Sequence, residues 1–364
     1  MPCRTDSAEL HGEDYRTPKV AQLSGPVHGK EVKRAKLADI AAAAEVTVPT
    51  VSKVLNGRSD VSEQTRARVW EMLAAAGYER RGPAVPAGAV GLVDLVMDGV
   101  EGSWATRVLG GAEQAAAEAG CDVVVLSARE ARAGRDWVDR LVSRGSAGAV
   151  LALVDPAPAE RERLAAAGVA LVALDPGVEP SSGLPSVGAT NWAGGYAAVH
   201  HLTRLGHTRI AALGGREDQI NSRARLDGYR SALAAANIRA RNSLIRYSDW
   251  SNAGGVRQAT ALLRQRDRPT AVFACSDHLA RAVYRVAADL GLDIPGDLSV
   301  VGFDDLPEAR WLTPDLTTVH QPVREMAAEA VRLLLRLRNG ELGGAERVEL
   351  STSLVVRNST APPR

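Results

Sequence analysis

Apolar residues recur at helical spacing in Leu37, Ile40, Ala41 and Ala44, which predicts a short helix with one buried face. Val51, Val54 and Leu55 repeat the pattern, and Val69, Met72 and Leu73 form a third set. Thr47 and Ser62 stand just before the second and third sets, where a side-chain oxygen can cap a helix. Pro49 near the start of the second helix is tolerated, because the N–H it lacks would be unpaired there. Two short helices joined by a turn, the second carrying small polar residues, form a helix-turn-helix pattern. From Ala89 the pattern changes to short apolar runs alternating with helical periods. Strands are predicted at Val90–Val96, Asp122–Leu126, Ala149–Val154, Ala170–Leu174, Arg209–Leu213, Leu244–Tyr247, Thr270–Ala274 and Leu298–Phe303, with a closing strand near 347–356. Helices are predicted at 105–119, 135–144, 159–167, 191–205, 223–236, 253–265, 278–290 and 322–338. This alternation implies doubly wound parallel sheets in two lobes, with ligands bound outside the carboxyl ends of the strands.

The domain reading follows. Residues 1–30 mix charges, Pro, Gly and His without a period and read as a disordered arm. Residues 31–78 form the helix-turn-helix domain, and 79–88, with Gly82, Pro83, Pro86 and Gly88, a linker. Residues 89–364 form the effector-binding and dimerisation domain.

Composition narrows the classes. The 364 residues exceed one simple core. With 44 basic and 43 acidic side chains the net charge is +1, so nucleic-acid binding must come from a local surface. Cys3, Cys121 and Cys275 fit neither a disulfide framework nor a metal site, as expected for a reducing cytoplasm. No run reaches the length of a membrane span, and the N-terminus shows no secretory apolar region. No catalytic triad, P-loop, dinucleotide fingerprint or metal-ligand spacing is found, so neither enzyme activity nor a cofactor or metal is expected. The adjacent His200 and His201 point to different sides of a helix and read as packing.

On the second helix, Val48, Pro49, Thr50, Ser52, Lys53 and Asn56 are left toward the outside. Short side chains at a helix start can touch thymine methyl groups in the major groove, and a lysine can reach guanine acceptors. An ordinary solvated helix is the alternative.

The run Leu37-x-Asp39-Ile40-Ala41, Val46-Thr47-Val48-x-Thr50-Val51-Ser52-x-Val54-Leu55-Asn56, Val61-Ser62-x-x-Thr65-Arg66 and Gly77-Tyr78 resembles the lac repressor (LacI/GalR) family. The likeness continues through Leu205-Gly206-His207-Thr208-Arg209-Ile210, Ser222-Arg223-Ala224-Arg225, Val300-Val301-Gly302-Phe303-Asp304-Asp305 and Leu316 to Pro322, covering residues 36 to about 357. It implies an all-α helix-turn-helix headpiece joined to an α/β two-lobe, periplasmic-binding-protein-like domain. It also implies a repressor that binds double-stranded operator DNA as a homodimer and is released by a sugar. The chain ends soon after its last strand without a heptad tail, so a dimer is expected rather than a tetramer. By the same resemblance Arg225 and Asp304 take the family's ligand-binding arginine and aspartate positions, and Trp250 that of an aromatic packed on the sugar. Asp175, Trp104 in the first strand–helix loop, and Ser276-Asp277 complete the implied effector set. A structural ion pair for Arg225 and Asp304, and lobe-core packing for the tryptophans, remain the alternatives. The segment Ser186 to Gly195 resembles actinobacterial relatives that govern plant-polysaccharide use, implying an oligosaccharide effector. A corepressed regulator and a sugar-binding transport protein are the competing functions; the transport class lacks a headpiece and carries a signal peptide.

Three departures from the family pattern carry physical consequences. Glu45 stands where the turn usually has Gly; a left-handed backbone there would cost about 1 kcal/mol against Gly. Lys53 stands where Arg is usual, and lacks the bidentate fork. No leucine occurs between Tyr78 and Leu92, so the minor-groove wedge of a hinge helix is not expected. Arg80 and Arg81 are then the candidates for phosphate or minor-groove contact.

Overall fold

The computed structural model describes residues 37–55, 61–75, 91–129, 136–146, 148–179, 184–342 and 345–364. The expected arm over 1–30, the linker over 79–88 and a contact by Asn56 lie outside the described residues. Residues up to 80 and residues from 81 onward form two separate compact units.

The first unit contains α1 (Leu37–Ala43), α2 (Val48–Leu55) and α3 (Glu63–Ala75). Ile40, Ala41, Ala44, Val51, Val54, Val69 and Leu73 form its core. Leu37, expected in that core, is 38% exposed at the start of α1. Both predicted caps form: the Thr50 amide donates to Thr47 Oγ1 at 3.4 Å, and the Thr65 amide to Ser62 Oγ at 3.2 Å. The turn between α1 and α2 holds Glu45 at φ +53°. Among the described residues Arg68 pairs with it at 3.8 Å, with both side chains largely exposed, which adds little. Glu45→Gly is therefore expected to stabilise this unit by about 1 kcal/mol, slowing amide exchange in α1 and α2 about fivefold in the whole protein. Unchanged or faster exchange would show that the turn carries no strain.

The second unit has two six-stranded sheets. The first contains β1 (Gly91–Met97), β2 (Cys121–Ser127), β3 (Gly148–Ala152), β4 (Ala170–Leu174), β5 (Ser186–Ala189) and β11 (Arg347–Leu350). Their order is β11-β5-β4-β3-β1-β2, with parallel pairing throughout. The second contains β6 (Ile210–Gly214), β7 (Ile245–Tyr247), β8 (Ala271–Ala274), β9 (Ser299–Asp304), β10 (Thr317–His320) and β12 (Ser353–Val355). Its order is β12-β10-β9-β8-β6-β7, and only β12 runs antiparallel to its neighbour. Central strands such as β3 and β6 are buried along their whole length, because helices cover both faces of each sheet.

Those helices are α4 (Gly102–Glu118), α5 (Trp137–Arg144), α6 (Pro158–Ala166), α7 (Asn191–Arg204), α8 (Ile220–Ala235), α9 (Asn252–Leu263), α10 (Asp277–Asp289) and α11 (Val323–Arg338). Local chemistry sets their ends. Asp136 accepts from the Val138 amide at 3.0 Å, and Gly145 closes α5 at φ +68°. Ser251 caps α9, accepting from the Gly254 amide at 2.9 Å. α4 and α11 share one face of the first sheet, while α5 and α6 cover the other. Each fully buried leucine there, such as Leu334 or Leu141, contributes about 1.5–3 kcal/mol.

The structure changes the expected connectivity in three places. β5 and β10 were not anticipated as strands; both are short and end near polar residues, so their periodicity is weak. The single closing strand near 347–356 is two strands, one in each sheet. And α11, late in the chain, packs on the first lobe. The chain thus crosses between lobes three times, near Thr190, Gln321 and Thr352. Two crossings are clasped together: the Thr352 amide donates to Thr190 Oγ1 at 2.9 Å, and Thr352 Oγ1 donates to the Thr190 carbonyl at 3.2 Å.

Candidate functional site

The carboxyl ends of the strands carry unusual backbone. Leu153, Asp175, Trp250, Asp304 and Asp305 all have positive φ, from +48° to +109°. Such conformations cost of order 1 kcal/mol or more each and persist only where the surroundings enforce them. Their grouping at strand ends marks the cleft that doubly wound sheets use for ligands.

Arg225, on α8, is the centre of this region and is 3% exposed. Its Nε donates to Asn191 Oδ1 at 2.7 Å. Nη1 donates to the Cys275 carbonyl at 2.6 Å and to Asp304 Oδ1 at 3.4 Å. Nη2 donates to Gln321 Oε1 at 3.0 Å. The guanidinium carbon lies 3.7 Å from the centroid of the Phe303 ring, a cation–π contact. Gln321 then donates from Nε2 to Asp175 Oδ2 at 3.4 Å. One hydrogen-bonded chain therefore runs from Asp304 of the second lobe through Arg225 and Gln321 to Asp175 of the first. The fork of Arg225 can serve these directions at once; a lysine could not.

Burial raises the Asp304 carboxyl to about 7, against the opposing pull of Arg225, with Asp175 and Glu308 raising it further. Asp175 is also raised by burial, partly countered by Arg225, Gln321 and Asn221. Asp304 can therefore take up a proton near neutral pH and present either a donor or an acceptor. That suits a hydroxyl-rich ligand, which offers both. Nearby, Arg107 of α4 donates from Nη2 to the Asp305 carbonyl at 3.3 Å. Arg107 Nε and Glu308 Oε2 are buried without hydrogen-bond partners.

The other sequence-derived candidates separate into two groups. Trp250 is half-buried, packs against both hydrophobic clusters of the second lobe, and donates its indole N–H to Gln219. Gly215 must lack a side chain, since a methyl there would run into the Trp250 ring. Trp104 lies inside α4 rather than in the loop before it; Gly102, at φ +86°, turns the chain into the helix earlier than expected. It packs against the first-lobe core. Ser276 and Asp277 serve the fold. Ser276 caps α10, accepting from the Leu279 amide at 3.1 Å. Asp277 is 1% exposed and accepts from the Leu306 amide at 2.8 Å and from Thr318 Oγ1 at 2.5 Å. Each carboxylate oxygen accepts one bond, so Asp277 braces the Asp304–Leu306 turn. Gln321, Asn191, Asn221 and Phe303 were missed as site residues. Gln321, Phe303 and Asn191 stand inside segments quoted for the resemblance, and only the folded chain places them next to Arg225.

In the first unit, Val48 is 42% exposed while Val51 and Val54 are 0% and 1%. Pro49 and Lys53 are exposed, and Thr50 and Ser52 half-buried. The outer surface of α2 is therefore the one expected from the pattern.

Fold and site together define a two-lobe ligand-binding protein carrying a helix-turn-helix unit. Residues 36–81 match the bacterial regulatory proteins of the lacI family, and residues 199–360 match the periplasmic binding protein-like domain. The HTH-type transcriptional regulator MalR of Streptomyces coelicolor (strain ATCC BAA-471 / A3(2) / M145) is 36% identical over 338 residues, which are 90% of this chain and 96% of MalR. The transcriptional regulator CelR–cellobiose complex superposes with a TM-score of 0.68 at 31% identity, covering 90% of this chain and 100% of that one. The lac repressor dimer bound to operator and the anti-inducer ONPF gives 0.65 at 27% identity, covering 90% and 100%. The chain belongs to the lacI family. It is a DNA-binding transcriptional regulator and not an enzyme. No helix among the described residues is long and apolar enough to cross a membrane.

Proposed function

We propose that the chain is a cytoplasmic homodimeric repressor, released from a pseudo-palindromic operator by a sugar or oligosaccharide. The observation that carries this reading is the buried chain of Asp175, Gln321, Arg225 and Asp304, which links the two lobes at their strand ends. A hydroxylated ligand competing for those groups changes the relative stability of lobe arrangements. That differential affinity is what couples a ligand site to DNA affinity. The likeness to a regulator bound to cellobiose supports the ligand class, and the likeness to a repressor dimer on operator DNA supports the assembly. Val48, Pro49, Thr50, Ser52 and Lys53 are the proposed DNA-facing residues; Arg225, Asp304, Asp175 and Trp250 are the proposed effector contacts, with Trp104 at the first-lobe side.

The test is operator binding at fixed salt, because phosphate contacts make affinity salt-dependent. DNA from the chain's own promoter region is titrated with and without cello-, xylo- and malto-oligosaccharides. Release by one sugar is the expected result. Tightening would make the protein a corepressed regulator, and indifference to every sugar would overturn the ligand class.

A further inference from the structure

A cavity of about 340 Å³ opens beside Asp175, bounded also by Asn191, Trp192, Asn221, Arg347 and Glu349. Its size is at the lower end of small-molecule sites. It shares Asp175 and Asn191 with the Arg225 chain, and lies toward the β5–β11 edge of the first sheet. Its walls differ from the cleft's: one side is aromatic and the other is charged and exposed.

Trp192 is 48% exposed, on the first turn of α7, in a chain with only 4% aromatic residues. It is nevertheless rigidly held. Tyr196 stacks on it with ring centroids 5.4 Å apart and planes at 21°. His200 stacks on Tyr196 in turn at 5.6 Å and 15°. The spacing of four residues puts all three rings on one face of α7. The adjoining strip of α7 is pressed onto α8. A methyl on Gly228 would run into the Trp192 carbonyl, and one on Gly195 into the Arg225 carbonyl. The helix that carries Trp192 is thereby locked to the helix that carries Arg225. Across the cavity, Arg347 is oriented between Glu179 at 3.5 Å and Glu349 at 3.1 Å.

An exposed indole lining the same cavity as carboxylates and a guanidinium has the chemistry of a pyranose subsite. The ring's C–H face packs on the indole, and its hydroxyls pair with the charged groups. We infer that Trp192 is the platform for a second sugar ring, so that the effector is at least a disaccharide spanning the Arg225 site and this cavity. The inference rests on the sugar reading of the cleft. It adds the length of the ligand and the residue that selects for it.

The test uses the full-length protein and calorimetric titration. Cellobiose and maltose are compared with glucose, and xylobiose with xylose, for the wild type, Trp192→Ala and Trp192→Phe. One disaccharide is expected to bind the wild type at least about tenfold tighter than its monosaccharide. Trp192→Ala is expected to remove about tenfold from that disaccharide while leaving the monosaccharide within about twofold, and Trp192→Phe to retain most of the affinity. Equal losses for both lengths, no loss, or no preference for the disaccharide would overturn the subsite while leaving the sugar reading standing. Absence of binding by every sugar would overturn both.

Discussion

Arg225→Ala is expected to abolish effector binding and to destabilise the two-lobe unit by about 3–5 kcal/mol, the usual cost of removing one member of a buried charged network. The size of the effect follows from what is left behind. Asp304 and Asp175 are 7% and 4% exposed, and both lose the positive charge that offsets their burial. Gln321 is wholly buried and loses the donor to its amide oxygen. Cys275 loses a donor to its carbonyl, and Phe303 its cation. Some of the penalty will be relieved by protonation of the carboxyls, which the mutation favours. Urea unfolding with calorimetric titration checks both halves of the expectation. Arg225→Met combined with Asp304→Asn removes the charge imbalance and is expected to recover part of the stability without recovering ligand binding. If Arg225→Ala unfolds at the wild-type midpoint, the network is not what fixes the strand ends. If it still binds the effector with wild-type affinity, Arg225 is not a ligand contact.

Lys53→Ala is expected to weaken operator binding by about 1–3 kcal/mol and to relax the preference at one base position, if the ammonium reaches a base edge. α2 has two contrasting faces. Val51 and Val54 are sealed in the small core, while Val48, Pro49 and Lys53 stand outside it. A loss that is uniform across operator variants, with the salt slope reduced by about 1, would place Lys53 on a phosphate instead. An unchanged isotherm would leave it a solvated side chain. Lys53→Arg adds the fork that pairs with guanine; sharper discrimination in that variant would support a base contact.

Much of the headpiece was legible in the amino-acid order. Its helices are short, their apolar faces repeat at 3.6 residues, and Thr47 and Ser62 announce their starts through local hydrogen bonds. Even the left-handed turn at Glu45 was legible as a departure from a glycine pattern. The lobes were legible as alternating strands and helices, since buried parallel strands are continuous apolar runs. The weak points were short elements. β5 and β10 have four residues each, too few to show a period beside polar ends.

The candidate site was legible only in part, because its residues are remote in the chain. Arg225, Asp304 and Asp175 were found through motifs, but Gln321 lies 96 positions from Arg225 and no local pattern marks it as their bridge. Asp277 looked like a ligand group from its position; its pairing with Leu306 and Thr318 depends on how β8, β9 and β10 stack. Trp192 stood within the segment Ser186 to Gly195, but its place on the wall of the cavity depends on how α7 packs.

What the amino-acid order determined by itself is the inventory: where helices and strands form, which faces are apolar, and that a helix-turn-helix precedes a two-lobe α/β body. These are consequences of local periodicity and capping, which act over a few residues. The tertiary structure alone decided that α11 returns to the first lobe, that three crossings join the lobes, and that Asp175, Gln321, Arg225 and Asp304 form one chain. Those depend on packing and desolvation between distant segments, and burial acts on whichever groups the folded chain brings together.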